Sequence, residues 1–281
     1  MELKKSQDAL NRIMDDVIPV ELRKSAIPLI VGSGLRLDIV GTATLYRVAD
    51  QHFLVTASHV LDDLSDRGLC VPASDGAFVR IYGTWQRSEL FDIAVLSLSD
   101  AVVDKLGDYS FTGLHNVSLH ETVAKGVFCL HGYPAVLSPG GDDANIDLAL
   151  RPFEFKTYGY EGPTAAFPRY EPSLHLLLSA KDSDCTEFNG EPFKFRTWGG
   201  PGARWLDFEG LSGCAVWAIG STSKAPEEWK RDDAKIVAVE TGVFRQAEAI
   251  KTTRWIGVIS ILCKAFPELK PAISLWQASR M

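Results

Sequence analysis

From residue 27 onward the apolar residues arrive in short runs broken by Gly, Asp, Ser and Pro. The first series is IPLIVGSG at 27–34, GTATLYRV at 41–48, HFLVTAS at 52–58, LCVPAS at 69–74, AFVRIYG at 77–83 and ELFDIAVLSL at 89–98. Runs of this length with turn residues between them predict strands, and many such strands in succession predict an all-β sandwich or barrel. A polar connection, DKLGDYSFTGLHNVSLHE, occupies 104–121. A second β-rich series follows: GVFCLHGYP, IDLALRPFEFKTYGY, LHLLLSA, CAVWAIG and KIVAVETGVF. Two β halves joined by a linker is the simplest organisation.

Helical periodicity is confined to the two ends. Leu3, Leu10, Ile13, Met14 and Val17 recur at helical spacing with charges between them, which predicts an amphipathic helix over 3–17 docked on the main body. RWIGVISILCKAF at 254–266 reads as a closing helix. Between Lys181 and Glu209 lies a Gly-, Trp- and charge-rich segment that is too long for an ordinary hairpin. Its length, its glycines (Gly199, Gly200, Gly202) and its place before the CAVWAIG strand suggest a loop that shapes a binding pocket and orders on activation. GGDD at 140–143 is read as a turn.

The bulk numbers narrow the possible functions. With 281 residues the chain can hold one large or two small cores, and 46% hydrophobic with 23% charged residues is ordinary for a globular protein. A net charge of −7 without a basic stripe argues against nucleic acid as a partner. There is no run of about 18 apolar residues, so no membrane span is expected. The first twenty residues mix acidic side chains among the apolar ones, which is unlike a signal peptide. Five scattered cysteines, none in a C-x-x-C pair, predict reduced, non-essential thiols and a cytoplasmic location. The six histidines show no zinc spacing, and His115 and His120 read as solvated. No metal and no cofactor is expected.

Three positions carry candidate chemistry. FLVTASHVL turns an apolar run into small residues and then delivers His59, whose imidazole titrates near neutral pH. ELFDIAVLSL places Asp92 inside an otherwise apolar strand, where a carboxylate needs a partner. FEGLSGCAVW sets Ser212 between Gly210 and Gly213, so the backbone can turn sharply and the amides of Gly210 and Ser212 can point at an oxyanion. Singly, each is an ordinary feature: a core histidine, a ladder-edge aspartate, a glycine turn. Together they run His, Asp, Ser across two β-rich halves, an order found in neither the α/β-hydrolases nor the subtilisins.

VTASHVL, FDIAVLSL and GLSGCAVW resemble the His, Asp and Ser blocks of the chymotrypsin/trypsin-like serine peptidases. GTATLYRV is similar to the strand before the His block in bacterial members, CLHGYP to the first strand of the second barrel, and KIVAVETGVF to the strand lining the specificity pocket. The resemblance covers about residues 26–266 and suggests a bacterial, intracellular-type member. It implies two six-stranded antiparallel β-barrels with the site in the cleft between them. Residues 1–25 would form the N-terminal helix, 26–110 the first barrel, and 122–268 the second barrel with its closing helix. The resemblance further implies a serine endopeptidase in which His59 is the base, Asp92 orients it, Ser212 is the nucleophile, and the Gly210 and Ser212 amides form the oxyanion hole.

Departures from the family pattern adjust this picture. Cys214-Ala215 stands where the family usually continues with Gly or Ser and then Pro, which implies altered packing behind the nucleophile. No disulfide framework is seen, and activation through a newly cut N-terminus is not expected. Leu206, Asp207, Glu240, Thr241 and Gly242 are the candidate pocket wall; Asp207 or Glu240 at its floor would favour basic side chains. The implied partner is a protein or peptide substrate. Proteases in a cytoplasm need restraint, which suggests narrow specificity or an activating partner protein. The alternatives are an esterase-like acyl hydrolase with the same triad and a catalytically idle trypsin-fold binding module.

Overall fold

The computed structural model describes residues 12–33, 36–62, 64, 68–119, 125–135, 150–181, 186–187, 197–198, 204–205 and 208–280. The chain forms two antiparallel sheets, with helices near the ends. The first sheet contains β1 (Ala26–Ser33), β2 (Arg36–Val48), β3 (Gln51–Ala57), β4 (Leu69–Pro72), β5 (Phe78–Arg80), β6 (Gln86–Ser88), β7 (Ile93–Ser97) and β8 (Thr112–Gly113). Its order is β5-β4-β1-β2-β3-β7-β6, and β8 adds to β2 as a short parallel pair. The described first half thus has eight strands where six were expected. The excess comes from the short β5 and β8 pairings at its margins.

The second sheet contains β9 (Gly126–Gly132), β10 (Phe153–Tyr158), β11 (His175–Ser179), β12 (Thr186–Glu187), β15 (Ala215–Ser221), β16 (Lys235–Phe244) and β17 (Ala249–Arg254), in the order β11-β17-β16-β15-β9-β10-β12. A separate two-stranded hairpin pairs β13 (Thr197–Trp198) with β14 (Arg204–Trp205). The end strands β10 and β11 meet through a bridge between Gly159 and Leu178. The Tyr160 amide donates to the Leu177 carbonyl at 2.9 Å, and the Thr157 hydroxyl to the Ser179 carbonyl at 2.6 Å. Six strands therefore close on themselves here, with β12 laid on the outside of β10.

Alternation along each strand assigns its side chains to different cores. On β3, Leu54 points into the first barrel with Leu29, Val31, Leu45, Val71 and Leu96. Phe53 and Val55, on the opposite face, enter a core shared by both halves, where they meet Trp217, Ile236, Val239 and Trp255. The second barrel has its own filling of Phe128, Leu130, Phe155, Leu176, Leu178, Val216 and Ile250. Both faces of the central strands are buried. This is why their runs read as continuously apolar rather than alternating.

The helices seal the shared core. Residues 12–17 are helical, and Val20–Lys24 forms a further turn; Met14, Val17, Ile18 and Leu22 sit in the shared core. The rest of the expected N-terminal helix lies outside the described residues. The closing helix runs Ile256–Ala265 and buries Val258, Ile259 and Leu262. A second C-terminal helix that the pattern did not predict follows at Lys270–Ala278, with Pro271 in its first turn, where a missing N–H costs nothing. No helix among the described residues is long and apolar enough to cross a membrane.

A buried ionic cluster fastens the N-terminal helices to β10. Glu154 and Lys156 alternate with apolar residues in FEFKTY, as solvent-facing positions of a strand would, yet both are 2% exposed or less. Glu154 pairs with Arg23 at 2.8 Å, and its other oxygen lies 3.8 Å from the Lys156 ammonium, which also pairs with Asp15. A buried charge survives only when paired in this way. Glu154→Ala strips Lys156 and Arg23 of their shared partner and should cost about 3–5 kcal/mol of stability in urea unfolding. The double change Glu154→Leu with Lys156→Met should cost less than Glu154→Ala alone; a larger loss would show that the charges stabilise the fold rather than merely tolerate burial.

Candidate active site

The site begins where β3 runs out. After Ala57 the chain makes a single 3₁₀ turn, Ser58–Leu61, with Val60 and Leu61 buried in the first barrel and His59 turned outward. Arg87 on β6 holds this turn from one side: its guanidinium donates to the Ser58 hydroxyl at 2.8 Å and to the Ser58 carbonyl at 2.9 Å, and it pairs with Asp62. Asp92 holds it from the other. The Ser58 amide donates to the Asp92 carbonyl at 3.0 Å and the His59 amide to Asp92 Oδ1 at 3.0 Å. Asp92 Oδ2 lies 2.8 Å from His59 Nδ1.

Asp92 is not inside a strand, as its sequence context suggested. It occupies the turn just ahead of β7, at φ +50°, a left-handed conformation that Asp tolerates better than most residues. That conformation delivers both carboxylate oxygens to one neighbour. The preceding carbonyl, of Phe91, accepts the Thr253 hydroxyl at 2.7 Å, tying this turn to β17 of the second barrel. With Nδ1 committed to Asp92, the neutral imidazole carries its lone pair on Nε2. The Asp92 hydrogen bond raises the His59 pKa; burial opposes the rise, and the charges of Asp92, Glu240 and Asp62 reinforce it.

Ser212 stands in a glycine turn that admits no other residues at two positions. Gly210 and Gly213 have φ of +95° and +98°. A Cβ on Gly210 would lie 2.5 Å from the Tyr133 carbonyl oxygen, and one on Gly213 would lie 2.1 Å from the Thr56 hydroxyl. Leu211 between them is fully buried in the second barrel and anchors the turn. The amides of Leu211, Gly213 and Cys214 are satisfied by the carbonyls of Phe208, Glu240 and Leu211. Those of Gly210 and Ser212 donate to no acceptor among the described residues.

Thr42 on β2 carries this turn across from the first barrel. Its amide donates to the Ser212 carbonyl at 3.0 Å and its hydroxyl to the Gly210 carbonyl at 2.7 Å, while the same hydroxyl accepts the Tyr133 amide at 3.0 Å. The sequence reading did not single out Thr42 or Arg87. The hydroxyls at 42, 44 and 56, buried amid apolar runs, were the available sign that the strands face something polar.

Glu240, a candidate pocket residue, lies within the barrel wall behind Ser212 instead of on an open face: it is 1% exposed on β16. Its carboxyl makes no full hydrogen bond. Burial pushes its pKa up to about 7 against the pull of His59, the nearby Ser212 hydroxyl and the Gly242 amide, and Asp92 adds to the rise. Thr241 and Gly242 are half-buried beside a bulge in β16, and the Thr241 hydroxyl donates to the Lys251 carbonyl at 3.3 Å. Leu206 and Asp207 lie outside the described residues, as does most of the 181–209 segment. Cys214 is buried with its thiol pKa pushed well up by burial, so it is a poor nucleophile.

No family profile and no curated protein sequence matches the chain. Among solved structures it is similar to the serine protease domain of the Sesbania mosaic virus polyprotein (15% identity, TM-score 0.44), covering 84% of this chain and 90% of that one. It is also similar to the MamO protease domain from Magnetospirillum magneticum (11%, TM-score 0.48; 86% and 97%). A third likeness is to a serine endoprotease from Yersinia pestis (13%, TM-score 0.48), with 91% of this chain and 65% of that chain covered.

Thr42→Val keeps the shape of the side chain but leaves the buried Tyr133 amide unpaired, and should lower stability by about 1–3 kcal/mol in urea unfolding. Thr42→Ser should lose much less. Equal stability of Thr42→Val and the parent protein would show that this hydroxyl does not join the halves.

Proposed function

We propose that the protein is a serine endopeptidase acting on a protein or peptide substrate. The observation that carries this reading is the clamp of Asp92 on His59 together with a glycine-flanked Ser212 whose turn leaves two amides without an acceptor among the described residues. Ser212 Oγ attacks the scissile carbonyl carbon, and His59 Nε2 takes the hydroxyl proton. The carbonyl oxygen becomes an oxyanion and is met by the Gly210 and Ser212 N–H groups. The C–N bond then breaks, the imidazolium returns its proton to the leaving amine, and water releases the acyl group by the same steps in reverse. Asp92 keeps the imidazole in its tautomer and stabilises the cation. Cys70, Cys129, Cys214 and Cys263 are free, which supports placing this chemistry in a reducing compartment such as the cytoplasm, with an activating partner as its restraint.

A fluorophosphonate should label Ser212, and labelling should require His59. Ser212→Ala and His59→Ala should each lose on the order of 10⁴- to 10⁶-fold in turnover, and the double change should be scarcely worse. Asp92→Asn should be severe yet milder than Ser212→Ala. Full proteolysis by purified Ser212→Ala protein would overturn the assignment. An esterase would hydrolyse small esters and no protein, and an idle binding module would take no label.

The raised His59 pKa sets the direction of the acid limb. The base must be neutral, so a pKa above the ordinary value of about 6.5 moves half-maximal kcat/KM to higher pH. Asp92→Asn removes the largest cause of that rise, and the acid limb of its residual activity should move down. An unmoved limb would show that another group titrates there.

A further inference from the structure

Acyl transfer by His59, Asp92 and Ser212 leaves one ionisable group at the site unused. Glu240 is 1% exposed, neither carboxylate oxygen makes a full hydrogen bond, and it faces both His59 and Ser212. Its main chain is held on both sides, accepting from the Gly213 amide and donating to the Cys214 carbonyl at 2.9 Å each. The side chain is therefore fixed against the nucleophile turn. Buried polar groups without partners are rare, and they need either a partner or a proton.

We propose that Glu240 is a positioning residue that gates the nucleophile: as a carboxylate it draws the Ser212 hydroxyl towards itself and away from His59, and as a carboxylic acid it releases it. This rests on the acyl-transfer reading above. The groups that face Glu240 are His59 from the turn after β3, Asp92 from the turn before β7, the Ser212 hydroxyl and Cys214 thiol from the nucleophile turn, and the Gly242 amide from its own strand. Thr252 lies opposite on β17. Among these, the Ser212 hydroxyl is a donor that can turn between partners. In this structure it makes no hydrogen bond to either His59 or Glu240, so it is free to be drawn to one or the other.

The gate has two consequences for proton traffic. Catalysis needs His59 neutral with Glu240 protonated, whereas the same number of protons arranged as imidazolium and carboxylate is inactive. The limbs of the pH profile then belong to the pair rather than to either residue. Ionised Glu240 also raises the His59 pKa through its charge.

The test follows the rate of Ser212 labelling by a fluorophosphonate from pH 5 to 10 in the full chain. The wild type should give a bell, falling on the alkaline side by up to about tenfold per pH unit. Glu240→Gln, and Glu240→Met as a second neutral side chain, should lose the falling limb, label about tenfold faster than wild type near pH 8.5, and show an acid limb at lower pH. His59 imidazole NMR should report a lower titration midpoint in both variants. A wild-type rate that rises to an alkaline plateau overturns the gate without any variant. Variant and wild-type profiles that superimpose, with labelling intact, overturn the gate and leave the peptidase reading standing. No labelling of any of the three proteins at any pH overturns the peptidase reading, and the gate falls with it.

Discussion

The hydroxyl of Thr42 is the contact on which the arrangement of the site depends. It sits on a strand of the first barrel and bonds the Gly210 carbonyl and the Tyr133 amide of the second, while the Thr42 amide takes the Ser212 carbonyl. Neighbouring threonines extend the seam: Thr56 donates to the Thr42 carbonyl at 2.8 Å, and Thr253 reaches from the second barrel to the Phe91 carbonyl. Hydrophobic burial holds the halves together, but burial has no direction. The hydrogen bonds set the register in which the Ser212 turn sits against β2, since a buried amide or carbonyl left unpaired is costly.

Local conformation and long-range packing meet at three unusual backbone positions. Asp92, Gly210 and Gly213 all have positive φ. At Gly213 the constraint is steric, because Thr56 and the Thr42 carbonyl occupy the space of a side chain. At Asp92 it is chemical: the left-handed turn lets one carboxylate meet both the backbone and the ring of His59. Strain of this kind persists where surrounding structure holds it, here by β6, β7 and the buried Val60 and Leu61.

The two buried acidic side chains of the second barrel show opposite solutions to the same cost. Glu154 is surrounded by Arg23 and Lys156 and serves to attach the N-terminal helices. Among the described residues Glu240 has no such cation; an imidazole and a hydroxyl face it, and burial pushes its pKa up to about 7. A satisfied cluster contributes architecture. The carboxyl of Glu240 stays without a hydrogen-bond partner beside the Ser212 turn.

Much of this was legible along the chain. The short apolar runs and their glycine and aspartate breaks point to two antiparallel β halves, and the order of His59, Asp92 and Ser212 marks the candidate chemistry, because strand-forming patterns and glycine-flanked turns are local properties. Three things were beyond local reading. Asp92 looked like a strand residue because its neighbours are apolar, and only its partner, distant in sequence, puts it in a left-handed turn. Glu154 and Lys156 look like solvent-facing positions of a strand until the N-terminal helices cover them. Thr42 and Glu240 acquire their roles from groups on the other barrel or across a sheet, about 170 and 180 residues away in the chain respectively. The sequence by itself determined which segments become strands and which side chains are candidates for chemistry; the tertiary structure alone decided which partners those side chains meet, and how deeply they are buried, because burial and partnership are set by contacts that no single segment contains.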